Sequence, residues 1–140
     1  MKKEIQKKNK HFLNRYRKIR EHIKALTERL YELRQKIESV SAVTISDMPK
    51  GNGNGLTKED LLIKKIELEN RIVNLNNKAT EIRKDILSKI DLLEDVRHAQ
   101  ILEMYFIDLM TLEEVAEELK YSYRYTINLY SDAITLLQCD

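Results

Sequence analysis

Two long stripes of apolar residues, stepping alternately by four and three, constrain this chain more than any other feature of it. The first runs Phe12, Tyr16, Ile19, Ile23, Leu26, Leu30, Leu33, Ile37 and Val40. A repeat of this kind keeps one narrow seam of an α-helix apolar along its length, and charged residues fill the remaining positions. Ile5, seven before Phe12, lies on the same seam. The first helix is therefore predicted from near the N-terminus to about Val40. The second stripe is Leu61, Lys65, Leu68, Ile72, Leu75, Ala79, Ile82, Ile86, Lys89 and Leu93. Thr57 offers its N-cap, with Glu59 and Asp60 in the first turn, where the helix dipole favours negative charge. Lys65 and Lys89 weaken this seam, although their stems still cover apolar surface. Leu62, Ile66, Val73, Leu87 and Ile90 form a shoulder beside it. A stripe that wide implies a third packing partner, either another chain or the C-terminal part of this one.

Residues 41–57, SAVTISDMPKGNGNGLT, carry the only proline, Pro49, and all three glycines, Gly51, Gly53 and Gly55. They cannot continue a helix, and weak order is expected. The flanking helices are nearly equal, about 36–38 residues or roughly 55 Å each. Equal lengths and a glycine-rich tip suit an antiparallel hairpin; a parallel dimer through the first helix is the competing arrangement. A thin two-helix layer buries little, so assembly with a second copy through the coiled-coil seam (Phe12, Tyr16, Ile19, Ile23, Leu26, Leu30, Leu33, Ile37) is expected.

Net charge is only +2, but it is unevenly spread. Residues 1–36 hold 13 Lys/Arg against 4 Asp/Glu, a balance of +9, whereas residues 95–140 hold 3 against 9, a balance of −6. Cys139, the single cysteine, supplies neither a disulfide framework nor a metal set. The charged N-terminus has no apolar run behind it, unlike a signal peptide, and no stretch approaches the roughly 18 apolar residues of a membrane span. A soluble, cytoplasmic protein without membrane contact is expected.

From residue 95 the pattern shortens into three helix-sized pieces. Asp95 caps the first, whose apolar face takes Val96, Ile101, Leu102, Tyr105 and Phe106; residues 107–110 connect it onward. Thr111 to Glu114 has the capping-box form, and the second piece buries Leu112, Val115, Ala116 and Leu119. Lys120 and Tyr121 make a short turn. Ser122 caps the third piece, which buries Thr126 or Ile127, then Leu129, Ala133, Ile134 and Leu137. Two short capped helices joined by a tight turn, with a small residue where they cross, form a helix-turn-helix pattern. The chain thus reads as all-α, a long antiparallel helical hairpin (coiled coil) over 1–94 followed by a C-terminal three-helix helix-turn-helix domain over 95–140.

The segments from Leu93 to Arg97, Ile101 to Tyr105, Leu109 to Leu119, Tyr121-Ser122 and Asp132 to Leu137 resemble region four of bacterial sigma factors. The chain is closer still to small phage and prophage proteins related to the ArpU and RinA late-gene activators. The resemblance covers about a third of the chain. It implies that the second short helix lies over the phosphate backbone of double-stranded DNA and the third enters the major groove. Carried over by position, the DNA-contacting residues are Thr111, Lys120, Ser122, Tyr123, Arg124, Tyr125 and Asn128. Ser122 and the helix N-terminus would hold a phosphate, Arg124 would pair with guanine and Asn128 with adenine, and the tyrosines would reach phosphates or thymine methyls.

The pattern departs from that family in three places. Lys120 stands where glycine is usual, which implies backbone strain or a different turn. Thr126 stands where valine or isoleucine usually anchors the helix. Arg124 is the only basic residue of the third helix. A module at −6 is repelled by DNA unless another segment compensates, and the basic first helix is the candidate.

His11, His22 and His98 make no metal-ligand spacing, and no phosphate loop, serine elbow or paired-acid constellation is present. An enzyme is not expected, nor a cofactor. Beside a DNA-binding transcription regulator, two other readings stand. One is a protein-interaction module docking on RNA polymerase or another protein. The other is a phage packaging component resembling a small terminase subunit.

Overall fold

A computed structural model of the protein describes residues 1–42 and 57–138. Among these residues the chain is helical, with no strand. The elements are α1 (Lys2–Ala42), α2 (Lys58–Ile90), α3 (Val96–Leu102), a π-helical turn (Glu103–Ile107), α4 (Leu112–Leu119) and α5 (Tyr123–Leu136). The glycine-rich tip and Cys139 lie outside the described residues.

α1 spans 41 residues and α2 spans 33, so the long helices are not of equal length. α2 begins where expected. Thr57 Oγ1 accepts from the Asp60 amide at 3.0 Å, and the Thr57 amide donates to Asp60 Oδ2 at 3.4 Å. It stops at Ile90 rather than running to Leu93, because Asp91 to Asp95 turn the chain toward α3. Asp95 caps α3 by accepting from the Arg97 amide at 2.9 Å.

The chain packs as two compact units, Met1–Arg20 with Lys78–Asp140, and Glu21–Asn77. This division cuts across the expected boundary between residues 94 and 95, since an end of each long helix packs with the C-terminal helices.

Two cores of the first unit lie among the described residues. In one, Leu13 of α1 and Ile86 and Ile90 of α2 meet Leu102, Phe106, Ile107, Ala133, Ile134 and Leu137. Ile90 and the half-buried Leu87 thus find their third partner in the C-terminal helices. In the other, Ile101, Val115 and Leu129 close against Met104, Met110, Leu119 and Tyr121. The π-helical turn lets neighbouring Phe106 and Ile107 both be buried, its widened ring closed by the Asp108 amide on the Glu103 carbonyl at 3.0 Å. Ile107 is therefore core, not connector, and Val96, expected inside, is exposed.

Polar contacts complete this unit. Gln6 Nε2 donates to the Ser131 carbonyl at 3.1 Å and to Thr135 Oγ1 at 2.8 Å. Asn9, almost fully buried, donates to the carbonyls of Ile134 and Leu137 at the end of α5. A helix end leaves carbonyls without partners, and this side-chain amide supplies one.

The second unit is a thinner pairing of α1 with α2. Leu26 and Leu30 pack on Leu68, flanked by Leu33, Ile72 and Leu75. Arg34 reaches Glu69 at 3.1 Å, and Lys65 reaches the same carboxylate oxygen at 3.1 Å. Leu62, Ile63, Ile66 and Val73 of α2 and Tyr31 of α1 stay exposed, so among the described residues this part of the shoulder has no cover.

Candidate nucleic-acid interface

α4, the turn and α5 form a continuous capped motif. Thr111 Oγ1 accepts from the Glu114 amide at 3.1 Å, while the Thr111 amide donates to Glu114 Oε1 at 2.8 Å. This reciprocal pair satisfies two amides that the first turn leaves open. α4 ends at Lys120, whose φ of 61° and ψ of 41° are left-handed. The Tyr121 amide then reaches back to the Ala116 carbonyl at 2.9 Å, closing the helix as a glycine usually does. Lys120 does this with a side chain, at a cost of roughly 1–2 kcal/mol. Ser122 Oγ caps α5 by accepting from the Tyr125 amide at 3.1 Å.

The inner face of α5 is Thr126, Leu129, Ala133 and Ile134, all buried, and Leu137 just past its end is buried too. Thr126, not Ile127, takes the anchoring position. Its hydroxyl donates to the Ser122 carbonyl at 2.9 Å, so burial leaves no polar group unpaired.

All seven residues expected to contact DNA are exposed: Thr111, Lys120, Ser122, Tyr123, Arg124, Tyr125 and Asn128. Six of them fall on the turn and the first two turns of α5. Thr111, at the other end of α4, shares a groove of about 270 Å³ with Tyr123, Tyr105, Met110, Glu113 and Arg17. The seam residues are placed differently. Ile19, Ile23, Leu26 and Leu30 are buried within the chain itself; Phe12, Tyr16, Leu33 and Ile37 are half-buried.

Two arginines flank the motif that its sequence pattern did not single out. Arg17 of α1 donates to the Tyr105 carbonyl at 3.0 Å and lies over the Tyr105 ring, 5.1 Å from its centre. Arg97 of α3 donates to the Tyr125 hydroxyl and is held from behind by Asp95 at 2.8 Å. Hydrogen bonds from Arg97 hold the Asp95 carboxyl down at about 2, and the same pairing raises the Arg97 guanidinium further above its ordinary value. Tyr125 also packs edge-on against Tyr121, with ring centres 5.0 Å apart. Its oxygen accepts from Arg97, which leaves its own proton free to be donated outward. The one sequence signal for this pair is the D-x-R spacing at the start of α3, since Tyr125 lies 28 residues on.

The same surface is acidic elsewhere. Glu113, Glu114, Glu117 and Glu118 are exposed on α4, and Asp132 is exposed on α5. His11 and His22 are exposed and His98 is buried. Among the described residues, no group of three His, Cys, Asp or Glu side chains is placed to hold a metal ion, and no helix is long and apolar enough to cross a membrane.

Compared with protein-family models, with curated proteins and with solved structures, the chain matches none.

Proposed function

We infer that the protein is a DNA-binding transcription regulator of phage or prophage type. In this reading α4 and α5 are the two helices of a helix-turn-helix, and α1 and α2 form an antiparallel coiled-coil hairpin. The carrying observation is the exposed first two turns of α5. Ser122, Tyr123, Arg124, Tyr125 and Asn128 face outward there, while Thr126 and Leu129 fix the helix from behind. Arg124 and Asn128 are the side chains that read base edges, and Ser122, Lys120, Thr111 and the tyrosines position the phosphate backbone. The resemblance to sigma region four and to the ArpU and RinA activators supports the same roles. Arg17, beside Tyr105 and Tyr123, adds positive charge to that of Arg124.

The hairpin reading is supported by the pairing of α1 with α2 inside each unit, through Arg15 and Asp85 in the first and through Arg34 and Glu69 in the second. Because Ile19, Ile23, Leu26 and Leu30 of the α1 seam are buried within the chain, self-association of this cytoplasmic regulator is assigned to the exposed stripe of Leu62, Ile66 and Val73 with Tyr31.

The test is selection of bound duplexes from a random pool, followed by sequencing. A single enriched motif is expected, with Arg124→Ala relaxing one of its positions at a cost of about 1–3 kcal/mol. A pool that stays unenriched at low salt would sink the reading. A second reading, docking on RNA polymerase or another protein, is favoured by the four exposed glutamates of α4. Polymerase capture that survives loss of Arg124 and Tyr125 would establish it instead. A ring of many copies by light scattering would point to the small-terminase-like packaging role.

A further inference from the structure

In the Glu21–Asn77 unit the two faces of the α1–α2 pair differ in how their charges are compensated. On one face Arg34 and Lys65 both bind Glu69. The other face is an open groove of about 350 Å³, floored by Leu33 and Leu68. Arg29 and Lys36 line it from α1, and Lys64 and Arg71 line it from α2. In each helix the two cations are seven residues apart, so they share one stripe, about 10.5 Å apart along the axis. Glu32 and Glu67 also line the groove. Among the described residues, none of these six side chains forms an ion pair.

Four cations and two carboxylates leave the groove at +2, each helix contributing two cations with one carboxylate between them in sequence. That net charge favours a polyanion.

We propose that this groove is a phosphodiester-backbone site for double-stranded DNA. The proposal rests on the DNA-binding reading above for the identity of the polyanion, but uses none of its residues. Regularly spaced cations on a rigid support suit a repeating phosphate chain, which is bound through charge and counterion release without base contacts. An acidic partner helix would need a row of apolar anchors, and the floor offers only two leucines. This site supplies positive charge that residues 95–140 lack.

The test compares the full chain with the variant Arg29→Gln, Lys36→Gln, Lys64→Gln, Arg71→Gln. A labelled duplex of arbitrary sequence is titrated by fluorescence anisotropy over a salt series. The quadruple variant is expected to bind at least about tenfold more weakly at physiological salt, its salt slope shallower by roughly 0.9 for each phosphate it no longer neutralises. Glu32→Gln with Glu67→Gln is expected to bind more tightly than the parent chain, which keeps the test informative if the quadruple variant folds poorly. A parent chain that binds duplex, with both variants matching it in affinity and slope, overturns the groove and leaves the α5 reading standing. A parent chain that does not bind duplex at low salt overturns both. Capture of polyglutamate by that chain and not by the quadruple variant then assigns the groove to an acidic protein.

Discussion

Asn9 donates its side-chain amide to the main-chain carbonyl of Leu137 at 2.9 Å, and to that of Ile134 at 2.6 Å. One buried side chain near the start of the protein therefore caps the last helix near its end. Asn9→Ala strands both carbonyls in a dry site and is expected to cost about 1–3 kcal/mol, read from chemical denaturation. Asn9→Asp should cost more at neutral pH than at acid pH, because its ionised form sets an acceptor against two acceptors. Equal loss at both would show that the amide protons are not what matters.

Lys120 holds a left-handed backbone at φ 61°. Lys120→Gly should raise stability by about 1 kcal/mol, since glycine enters that region without steric cost. Lys120→Val should do the reverse. The gain appears in thermal melting, and the same glycine variant separates the turn from any phosphate role of the lysine.

Tyr130 packs edge-on against Tyr105, with ring centres 5.1 Å apart, and near-parallel to Phe106. Burial, with Tyr105 next, pushes its hydroxyl up to about 12. The unfolded chain ionises near 10, so it is the first to lose this proton as pH rises. The stability Tyr130 contributes is therefore complete below about 10 and falls between about 10 and 12. Ultraviolet titration of the native protein should show a phenol ionising near about 12 that is absent in Tyr130→Phe.

Asp95 moves the opposite way. Hydrogen bonds from Arg97 hold its carboxyl at about 2, against an unfolded value of 3.8. Its stabilisation is present above that unfolded value and is lost as pH falls toward 2. A carbon-detected NMR titration should find this carboxyl protonating near about 2. Asp95→Ala removes the cap of α3 and should lower the thermal midpoint; it also frees Arg97, so the Tyr125 ring should gain mobility in relaxation measurements.

Ile66→Glu with Val73→Glu tests the proposed self-association surface. Light scattering should find the parent chain larger than one copy and the double variant reduced to a monomer of unchanged helicity. A parent chain already monomeric removes that surface from the account.

The periodic parts of the fold were readable from sequence because helix geometry writes itself as spacing. Leu26, Leu30 and Leu68 sit on their seams and are buried, and Thr57, Asp95, Thr111 and Ser122 cap as their residue types require. What was missed breaks the spacing rule. Asn9 falls on the first seam, seven before Tyr16, but is polar, and Leu13 lies off the seam yet is fully buried by α5 and α2. Ile5 lies on the seam and is exposed. Packing among segments far apart in sequence decides these three, and no local pattern encodes it. The candidate interface divides the same way. The exposed row from Ser122 to Asn128 follows from the period of α5, whereas Arg17 and Arg97 reach it through contacts that only the folded chain creates.

The bond from Gln6 to Thr135 joins residues 129 positions apart. A protein made from its N-terminus onward exposes Gln6, Asn9 and Leu13 long before their partners exist. The first unit can close only once Thr135 and Leu137 have been made, and closing so long a loop is slow by nature. During that wait the second unit, whose pairing is local, is free to form first. A fragment cut at residue 95 forfeits this order of events. It keeps Phe106 and Ile134 but loses Leu13, Ile86 and Ile90, so that piece is expected to be partly unfolded and prone to aggregate when made alone.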